Sequence, residues 1–557
     1  MRQKSAYLQH LICVAMLTCL SLSGPARADF VFGEATNLGR PVNSPYADGI
    51  PSISADGLEL HFCSKRPGGS GGYDLWATMR EKRDGAWGDP FNLGASVNSS
   101  ADDYGATISA DGMVLYFTSN RAGGLGQFDI WMSRREEKYS AWGEPVNLGP
   151  TVNSSSWDDG PSISTSGLEL FFHSQRSGGY GSDDVWVARR PTTSDPWGQP
   201  INLGPTINSS SWDLSPHIAP DGLMLLFAAN RTGSYGSADI WMAFRPTPMD
   251  SWQIPVNLGP AVNSSSWDAD PDISADGSTL YFCDFEIPRP GGQGNSDIWQ
   301  AAIIPIVDFS GDGKVDGREV LTMTEYWGAE DPVCDIGPMP WGDGVVDVED
   351  LKVLAEYIGK DVIDGTLVAH WSLDEAEGDV AYDSVGDNDG VLMGDPLWEP
   401  EGGMVGGALQ FDGLDDCIET PYVLNPSDGP FSLLAWVRGG TPGQLIVSQQ
   451  GGANWLVIRD DGVVATEPSG PGANDALISG ALITDGEWHR VGLTWERPVR
   501  TLYVDGIAAA VDTSHYLSRQ DTILYIGAAG PGNRRRAATF FTGLIDDVRI
   551  YNRAVRP

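Results

Sequence analysis

Residues 109–131 read SADGMVLYFTSNRAGGLGQFDIW, and this stretch is one copy of a unit that occurs five times in the 557-residue chain. The Asn of an Asn-Leu-Gly turn marks each unit and recurs with a step of 55 residues, at Asn37, Asn92, Asn147, Asn202 and Asn257. An Asp-x-Trp segment recurs with the same step at Asp74, Asp129, Asp184 and Asp239, and its fifth copy, at Asp297, comes three residues late. A fixed period of this length is the signature of a repeat architecture.

The pattern inside the unit is that of short β-strands. In the quoted copy, Met113, Leu115 and Phe117 fall on one face of residues 113–118, which is the period-two alternation of a strand. An Asp111-Gly112 turn precedes this strand, and a glycine-rich turn leads from it to the Asp-x-Trp strand. A unit of this length, with about four short strands, has the size of a propeller blade.

The consensus S-x-DG-xx-LYF-x-SNR-x-GG-x-G-xx-DIW resembles the WD-like repeats of TolB-type β-propellers over residues 29 to about 303. The resemblance implies a five-bladed β-propeller, closed on itself, over residues 29–305. Phe32 stands in the repeat position that Trp87, Trp142, Trp197 and Trp252 occupy in later copies. The chain therefore enters the repeat in phase from about residue 29.

Five aspartates with the same 55-residue step precede the segment that the resemblance places on the innermost strand: Asp48, Asp103, Asp158, Asp213 and Asp268. One residue copied in every blade indicates a structural role, so we expect these carboxylates to accept hydrogen bonds within each blade. A ring of carboxylates that holds a cation is the alternative. The repeated Arg66, Arg121, Arg176 and Arg231 could face a ligand; Glu286 is their fifth counterpart, so we expect an altered surface at blade five.

Histidines and cysteines give no nucleophile motif. His61, His173 and His217 occupy three different repeat positions, and His173 shares its position with Cys63 and Cys283. A metal cluster is one interpretation of that shared position, and packing on a half-buried strand is the favoured one. Cys63, Cys283, Cys334 and Cys417 are far apart and form no CxxC pair, so neither a disulfide framework nor a zinc knuckle is indicated.

An acidic segment after the last repeat predicts a calcium site. In DFSGDGKVDGRE, the ligands of a twelve-position calcium loop would be Asp308, Ser310, Asp312, the Lys314 carbonyl, Asp316 and Glu319. A second segment keeps only the latter half of the loop, with Asp343, Asp347 and Asp350. Met339 and Trp341 fill its first two ligand positions, so the sequence predicts one firm calcium ion and a second that depends on other ligands, such as Asp335.

Each calcium-type loop precedes one amphipathic helix, and residues 306–364 resemble a dockerin, a small α-helical calcium-loop module. The resemblance implies a cohesin-like partner. The Ser-Thr pair that dockerins often carry at loop positions 10 and 11 is replaced here by Gly317-Arg318 and Val348-Glu349. A calcium-stiffened spacer is therefore the equal alternative.

The sequence pattern of residues 365–557 predicts scattered strands separated by polar turns. The segments FSLLAWVR (431–438), GEWHRVGLTWE (486–496) and FTGLIDDVRIYNRAV (541–555) resemble the laminin-G-like jelly roll of the concanavalin A-like lectin and glucanase class. The resemblance implies a β-sandwich that binds glycans or proteins. The resemblance also implies that some carboxylates bind calcium, but a turn-forming role is favoured for them: Asp412, Asp415, Asp416, Asp546 and Asp547. The E-x-D-x-x-E motif of the glucanases does not occur in this segment.

Composition and the N-terminus point to an extracytoplasmic protein. The net charge is −40, which disfavours nucleic acid and anionic lipid as partners. Residues 1–28 read as a cleaved signal peptide, with Arg2 and Lys4 before an apolar run and Ala26-Arg-Ala28 as the cleavage site. No later segment approaches the length of a membrane span. We therefore expect a secreted protein whose mature chain starts near Asp29.

The sequence as a whole favours a mainly β protein that binds rather than catalyses. Every polar feature noted in the propeller is repeated, whereas an active site breaks symmetry, so no catalytic residue is predicted. The expected partners are an extracellular polysaccharide or a surface protein. The alternative is a carbohydrate-active propeller hydrolase in which blade five or a loop supplies unsymmetrical carboxylates.

Overall fold

The computed structural model describes residues 30–552, apart from residue 246 and residues 286–288, 310–313, 329–333, 338–341, 343–344, 361–365, 426–429, 451–453, 468–475, 497–498, 514–521 and 529–539. The chain divides into two compact units, residues 1–363 and residues 364–557. In the described part of the chain, neither helix is long and apolar enough to cross a bilayer.

Four four-stranded antiparallel sheets and one five-stranded sheet build the propeller. The chain starts with β1 (Phe30–Phe32) and β2 (Thr36–Asn37). Blade one contains β3 (Asp48–Ile53), β4 (Glu59–Ser64), β5 (Asp74–Met79) and β6 (Phe91–Asn92). Blade two contains β7 (Asp103–Ile108), β8 (Val114–Ser119), β9 (Asp129–Arg134) and β10 (Val146–Asn147). Blade three contains β11 (Asp158–Ile163), β12 (Glu169–Ser174), β13 (Asp184–Arg189) and β14 (Ile201–Asn202). Blade four contains β15 (Asp213–Ile218), β16 (Met224–Ala229), β17 (Asp239–Phe244) and β18 (Val256–Asn257), and blade five contains β19 (Trp267–Ile273), β20 (Thr279–Phe285) and β21 (Ile298–Pro305).

The N-terminal strands close the propeller. Strand β1 pairs with β21 from Phe30↔Pro305 to Phe32↔Ile303, and β2 pairs with β21 at Asn37↔Trp299. The first Asn-Leu-Gly copy thus supplies the outer edge of blade five, as the phase of the repeat indicates. The first strands of the blades contact one another in a closed ring and line the central channel: β3, β7, β11, β15 and β19. The five-bladed propeller predicted from the repeats is confirmed.

Each blade is held together by one buried carboxylate of the repeated series, which we call the fastening aspartate. Asp48 accepts hydrogen bonds from the Ser44 amide at 2.6 Å, the Ser64 hydroxyl at 2.5 Å and Arg66 at 2.6 Å. Arg pairs with the fastening aspartate in the other blades as well: Arg121–Asp103, Arg176–Asp158, Arg231–Asp213 and Arg289–Asp268. The repeated aspartates are therefore structural, and the repeated arginines pair with them. In blade five this role belongs to Arg289; Glu286 lies outside the described residues.

Two pairs of blades are joined by buried ion pairs. Arg135 of blade two lies 2.9 Å from Glu59 of blade one, and Arg245 of blade four lies 2.5 Å from Glu169 of blade three. His61 Nε2 also lies 3.2 Å from Glu59. Burial acts to raise the pKa of Glu59, but hydrogen bonds from His61 and Arg135 overcome it and lower that pKa to about 2. Glu59 is therefore ionised at neutral pH and depends on Arg135.

The segment after blade five forms two short helices that pack together, α1 (Gly317–Glu325) and α2 (Val348–Tyr357). Buried apolar side chains from both halves form its core: Val307, Val315, Met323, Cys334, Ile336, Val346 and Leu354. Both helices begin directly after the ninth position of a calcium-type loop, which matches the helix positions that the sequence predicts.

The second unit is a sandwich of two eight-stranded antiparallel sheets. One sheet contains β22 (Leu367–Trp371), β25 (Leu397–Glu399), β26 (Ala408–Asp412), β28 (Phe431–Gly439), β33 (Trp488–Glu496), β34 (Val499–Val504), β35 (Ile507–Thr513) and β37 (Thr542–Tyr551). The other contains β23 (Val380–Ala381), β24 (Gly390–Met393), β27 (Cys417–Thr420), β29 (Leu445–Gln449), β30 (Asn454–Ile458), β31 (Val463–Glu467), β32 (Leu477–Leu482) and β36 (Leu524–Ile526). Trp371 and Trp455 are buried in the core between the sheets. The predicted C-terminal β-sandwich is confirmed.

Removing Arg135 should destabilise the propeller severely. We expect Arg135→Met to lower the free energy of unfolding by about 3–5 kcal/mol at pH 7, because it leaves the Glu59 charge buried and unpaired. Urea unfolding of the full chain, followed by tryptophan fluorescence, measures this loss. The control is Lys82→Met, which breaks an exposed pair with Asp84 and should change the free energy by about 1 kcal/mol or less. Equal losses in the two variants would contradict the assignment.

Candidate active site in the propeller channel

The five channel-lining strands share one irregularity. Each has a break in register with the second strand of its blade at the residue two positions after the fastening aspartate, and that residue has a positive φ: Ile50 at 53°, Gly105 at 62°, Gly160 at 60°, Ser215 at 49° and Asp270 at 53°. Bulges of this kind turn side chains away from the regular alternation and are common next to active sites. A positive φ is strained for Ile50, Ser215 and Asp270, at about 1–3 kcal/mol each. The strands thus keep a common backbone while their side chains differ.

Three carboxylates on these strands occur once each. Asp159 lies in blade three, and Asp270 and Asp272 lie in blade five. The other blades carry uncharged residues, or a histidine, at the same positions: Gly49, Tyr104, Leu214 and Ala269 for Asp159; Ile50, Gly105, Gly160 and Ser215 for Asp270; Ser52, Thr107, Ser162 and His217 for Asp272. All three are at least nine-tenths buried, with exposed fractions of 8%, 9% and 6%. The channel therefore breaks the fivefold symmetry with acidic side chains.

Asp159 is held between a phenol and an imidazole. The Tyr104 hydroxyl donates a hydrogen bond of 2.7 Å to Asp159 Oδ2, and His173 Nε2 lies 3.9 Å from the same oxygen. The Ser215 amide donates to His173 Nδ1 at 3.2 Å. Because Nδ1 accepts this bond, a neutral His173 carries its proton on Nε2, the atom that faces Asp159.

Asp272 of blade five also lies near a histidine, His217 of blade four. The Ile273 amide donates to His217 Nε2 at 3.2 Å, so a neutral His217 carries its proton on Nδ1, which lies 3.8 Å from Asp272 Oδ1. Burial lowers the pKa of His217 to about 3, which keeps the ring neutral. Asp272 Oδ2 accepts the Ile53 amide at 3.3 Å. Burial raises the pKa of Asp272 well above its usual range, although the Ser52 hydroxyl and the Ile53 amide oppose that effect.

Asp270 lies between two uncharged donors. Cys283 Sγ is 3.2 Å from Asp270 Oδ2. Burial raises the pKa of Asp270, hydrogen bonds from Ser215 and Cys283 oppose this, and the charge of Asp159 adds to it. Burial also raises the pKa of the Cys63 and Cys283 thiols, so both remain protonated and are poor nucleophiles and metal ligands. The structure thus favours packing over the metal cluster considered for Cys63, His173 and Cys283.

These groups can perform acid–base chemistry. A carboxyl group with a raised pKa holds a proton near neutral pH and can give it to a leaving group. A second carboxylate nearby can act as a base or a nucleophile, which is the pairing that glycoside hydrolysis requires. Perturbed pKa values that come from burial and from specific partners cluster at functional sites.

The predicted calcium ligands lie at the two helix starts. Asp316 caps α1 and Asp347 caps α2, and each bonds reciprocally with the acidic residue three positions later, Glu319 or Asp350. Glu319 and Asp350 are both buried. Asp350 accepts the Gly337 and Asp347 amides at 2.7 and 2.6 Å. Asp308 and Lys314 are described, whereas Ser310, Asp312 and Asp343 lie outside the described residues.

The acidic residues noted in the sandwich mostly bind backbone and basic groups. Asp412, Asp415 and Asp416 have oxygens within 4.8 Å of one another, and Asp416 accepts the Asp395 and Asp412 amides, each at 2.8 Å. Asp547 pairs with His370 and Arg549, each at 2.8 Å. Asp546 accepts the Met404 and Val405 amides, and burial raises its pKa to about 7. The expected turn-forming role is clearest for Asp412, whose Oδ1 accepts the amide of Leu414, two residues later, at 2.7 Å.

A cavity of about 400 Å³ lies between blades one and five and is lined in part by Arg80, Arg83, Trp87 and Tyr281, whereas Asp159, Asp270 and Asp272 do not line it. Arg80 donates to the Gly57 carbonyl, and Arg83 pairs with Asp276 at 2.9 Å. Its basic groups are thus engaged by the protein itself, so the chemistry belongs to the channel.

The fold and the channel define a class: a five-bladed propeller with an acidic centre, joined to a concanavalin A-like sandwich. Residues 412–557 match the family described as Concanavalin A-like lectin/glucanases superfamily. No curated protein sequence matches the chain. Trypanosoma rangeli sialidase in complex with the inhibitor DANA aligns with 92% of this chain and 93% of that chain, at 13% identity and a TM-score of 0.44.

Two further solved structures match parts of the chain. A thermostable family-43 glycoside hydrolase aligns with 47% of this chain and 91% of that chain, at 14% identity and a TM-score of 0.34. Domain 4 of AbnA, a GH43 extracellular arabinanase from Geobacillus stearothermophilus in complex with arabinotriose, aligns with 34% of this chain and 94% of that chain, at 19% identity and a TM-score of 0.28. At these identities the likeness shows the fold alone.

The prediction of a non-catalytic binding protein is wrong. The solved structures that align with the chain are sialidases and family-43 glycoside hydrolases. The prediction failed because it weighed only residues that repeat. Alignment of the five units column by column places Asp159, Asp270 and Asp272 in otherwise uncharged or histidine-containing columns, and that signal was present in the sequence.

The raised pKa of Asp272 predicts a pH-dependent stability. The fold favours the protonated carboxyl, so this stabilisation is present at low pH and is lost as the pH rises through the raised pKa. Asp272→Asn should therefore melt above the wild type at pH 8, by about 2–4 °C for each kcal/mol gained, and match it at pH 4. Calorimetry of the full chain checks this.

The control for that measurement is Asp276→Asn. Burial acts to raise the pKa of Asp276, but hydrogen bonds from Ser274 and Ser278 and the charge of Arg83 lower it. Its stabilisation is present at high pH, so Asp276→Asn should melt below the wild type at pH 8. The same sign for both variants would contradict the environment assigned to Asp272.

Proposed function

We propose that this protein is a carbohydrate-active hydrolase whose catalytic site is the acidic centre of the propeller channel. One observation carries the proposal: Asp159, Asp270 and Asp272 are buried carboxylates on channel-lining strands, and each breaks the repeat. A buried carboxylate is expensive to keep unless it has a partner or a function. Structural needs of the blades are met by the fastening aspartates, which leaves these three for chemistry.

The proposed roles follow from the environments. Asp272, whose pKa is raised by burial, protonates the glycosidic oxygen as general acid. Asp159, oriented by the Tyr104 hydroxyl, acts as the base or nucleophile at the anomeric carbon. When Asp159 is the nucleophile, the glycosyl ester that it forms is broken by a water molecule that Asp272 deprotonates, and Asp272 thereby regains its proton. When Asp159 is the base, it takes the proton of the attacking water, and that proton returns to Asp272 through solvent.

Amide substitutions test these roles. We expect Asp272→Asn and Asp159→Asn to lower kcat/KM on polysaccharide substrates by about 10²–10⁴-fold, because each removes one proton-transfer or nucleophilic group. Release of reducing sugar by the full chain measures this. The matched control, Asp84→Asn, changes an exposed carboxylate and should keep full activity. Turnover that survives both channel substitutions, or no turnover on a broad panel of glycans, would refute the proposal.

The other domains are proposed to support this activity. The concanavalin A-like sandwich serves as an accessory domain that binds extracellular polysaccharide, and the signal-like residues 1–28 direct secretion. The repeats are of the TolB type. Residues 306–364 form a dockerin-like module, which either binds a cohesin-like partner or stiffens the connection between the two large domains.

Calcium is the proposed ion of that module. The donors of the first loop are carboxylates, a hydroxyl and a carbonyl, which is the oxygen set that calcium prefers. Asp316 and Glu319 already stand at the start of α1, in the positions where the loop would use them. A bound ion would offset the mutual repulsion of Asp308, Asp312 and Glu319.

Calcium should therefore raise the melting temperature of the full chain, and Asp308→Ala should weaken binding by at least about tenfold because it removes the first ligand. Isothermal titration with calcium measures affinity and stoichiometry, with one firm site expected. The control is Glu349→Gln, which changes a half-buried residue that is not a predicted ligand and that pairs with Lys352. Absence of calcium binding, or unchanged binding in Asp308→Ala, would exclude the site.

A further inference from the structure

An arc of tryptophans stands at the channel end where the lining strands begin. The residue before each fastening aspartate is Ala47 in blade one and Asp102 in blade two, but it is tryptophan in the last three blades: Trp157, Trp212 and Trp267. Trp212 and Trp267 stack with centroids 4.8 Å apart and planes 14° apart, and Trp157 stacks on Phe128 at 5.1 Å and 13°. All three tryptophans are partly exposed. Each tryptophan is thus stacked on a neighbouring ring and remains partly accessible to solvent on one side of the mouth.

The arc is continuous with the acidic centre. Trp157 precedes Asp159 by two residues on the same face of the chain, and its stacking partner Phe128 lies 5.3 Å from the Tyr104 ring. Tyr104 in turn donates to Asp159. Trp267 begins the strand that carries Asp270 and Asp272. The tryptophans thus lie in blades three, four and five, and the unsymmetrical carboxylates lie in blades three and five. In the same columns, blades one and two carry Asp102 and Tyr104 but no tryptophan.

Charge at this mouth opposes anions. The five arginines of this face pair with the fastening aspartates. In the described loops of this face, Arg40 and Lys65 are the basic side chains outside those pairs; Arg40 contributes to the cavity between blades one and five, and the Lys65 ammonium lies 4.1 Å from the Tyr73 ring centre. Asp102 precedes the fastening aspartate of blade two, and the backbone of Asp183 bridges to that of Trp212. A carboxylated sugar would meet the side chains of Asp102, Asp183 and Asp159, which repel it wherever they are ionised, whereas Asp270 and Asp272, whose pKa values burial raises, contribute less to this repulsion.

Resting on the hydrolase proposed above, we propose that Trp157, Trp212 and Trp267 form its sugar-binding subsites and that its substrate is an uncharged glycan. The apolar face of a sugar ring lies flat on an indole, and the ring hydroxyls reach nearby carboxylates and amides as donors. The arc guides the glycan from the channel mouth to the carboxylates of blades three and five. An acidic sugar such as a uronate or a sialate is excluded by charge.

Binding by an inactive full-length protein tests the substrate class. In an Asp272→Asn background, calorimetry would compare uncharged hexasaccharides (xylan-, arabinan- and glucan-derived) with oligogalacturonate and sialyllactose. We expect uncharged probes to bind and acidic probes to bind at least about tenfold more weakly at low salt. The double substitution Asp102→Asn with Asp183→Asn should strengthen the binding of acidic probes and so reduce the difference in affinity between uncharged and acidic probes.

Substitution of the arc separates channel binding from any glycan binding by the sandwich domain. Trp212→Ala with Trp267→Ala should weaken uncharged probes by about tenfold or more, whereas Trp212→Phe with Trp267→Phe should recover most of the affinity. Met249→Ala, an exposed change outside the arc, is the matched control and should bind as the parent does. Melting curves of each variant show that the propeller is folded.

The outcomes distinguish this inference from the hydrolase itself. Three results would overturn the inference. The acidic probes bind more tightly than the uncharged probes, the uncharged probes do not bind, or their affinity is the same after Trp212→Ala with Trp267→Ala. Cleavage of an acidic glycan that Asp272→Asn abolishes would overturn the inference and keep the hydrolase. Loss of uncharged binding in the alanine pair, together with no turnover by the unsubstituted protein, would keep the subsites and overturn the hydrolase.

Discussion

Each blade of the propeller depends on one buried carboxylate that joins three parts of the chain. Asp48 accepts the Ser44 amide from the segment before its strand, the Ser64 hydroxyl from the end of the second strand and the guanidinium of Arg66. A buried carboxylate that loses such partners destabilises a fold by several kcal/mol, about 3–5 for a buried ion pair. Aspartate and arginine must therefore be kept together. Blade five confirms this constraint, because Arg289 takes the pairing although it lies further along the chain than the repeat requires.

This constraint explains which parts of the channel can vary. The fastening aspartate of a lining strand makes its contacts within the blade, and the next four residues contribute mainly to the ring of strands around the channel. The backbone of these residues is common to all blades, including the positive φ of the residue two positions after the fastening aspartate. Their side chains range from Gly160 to Asp270. Function can thus be added to single blades without loss of the repeated scaffold.

The sequence predicts the scaffold better than the site because the two depend on different distances along the chain. Blade number, strand positions and closure by the N-terminal strands follow from a repeat that is visible within each 55-residue unit. The environment of Asp159 depends on Tyr104, 55 residues away, and that of His173 on Ser215, 42 residues away. No local pattern contains those contacts. The one sequence signal that points to these residues is a comparison of the five units, which shows where one unit differs from the others at the same repeat position.

Blade five combines several departures from the repeat, and the interblade contacts give a reason. Glu59–Arg135 and Glu169–Arg245 clamp blade one to blade two and blade three to blade four, each across 76 residues. The equivalent residues beside blade five are Met224 with Ile303 and Thr279 with Arg80, so neither of its interfaces has a glutamate–arginine clamp. Blade five is instead completed by β1 and β2 from the start of the chain. A blade fixed by strand pairing rather than by buried charges tolerates two further buried carboxylates and a strained Asp270, which its clamped neighbours would accommodate less easily, because each already contains a buried glutamate or arginine at an interface.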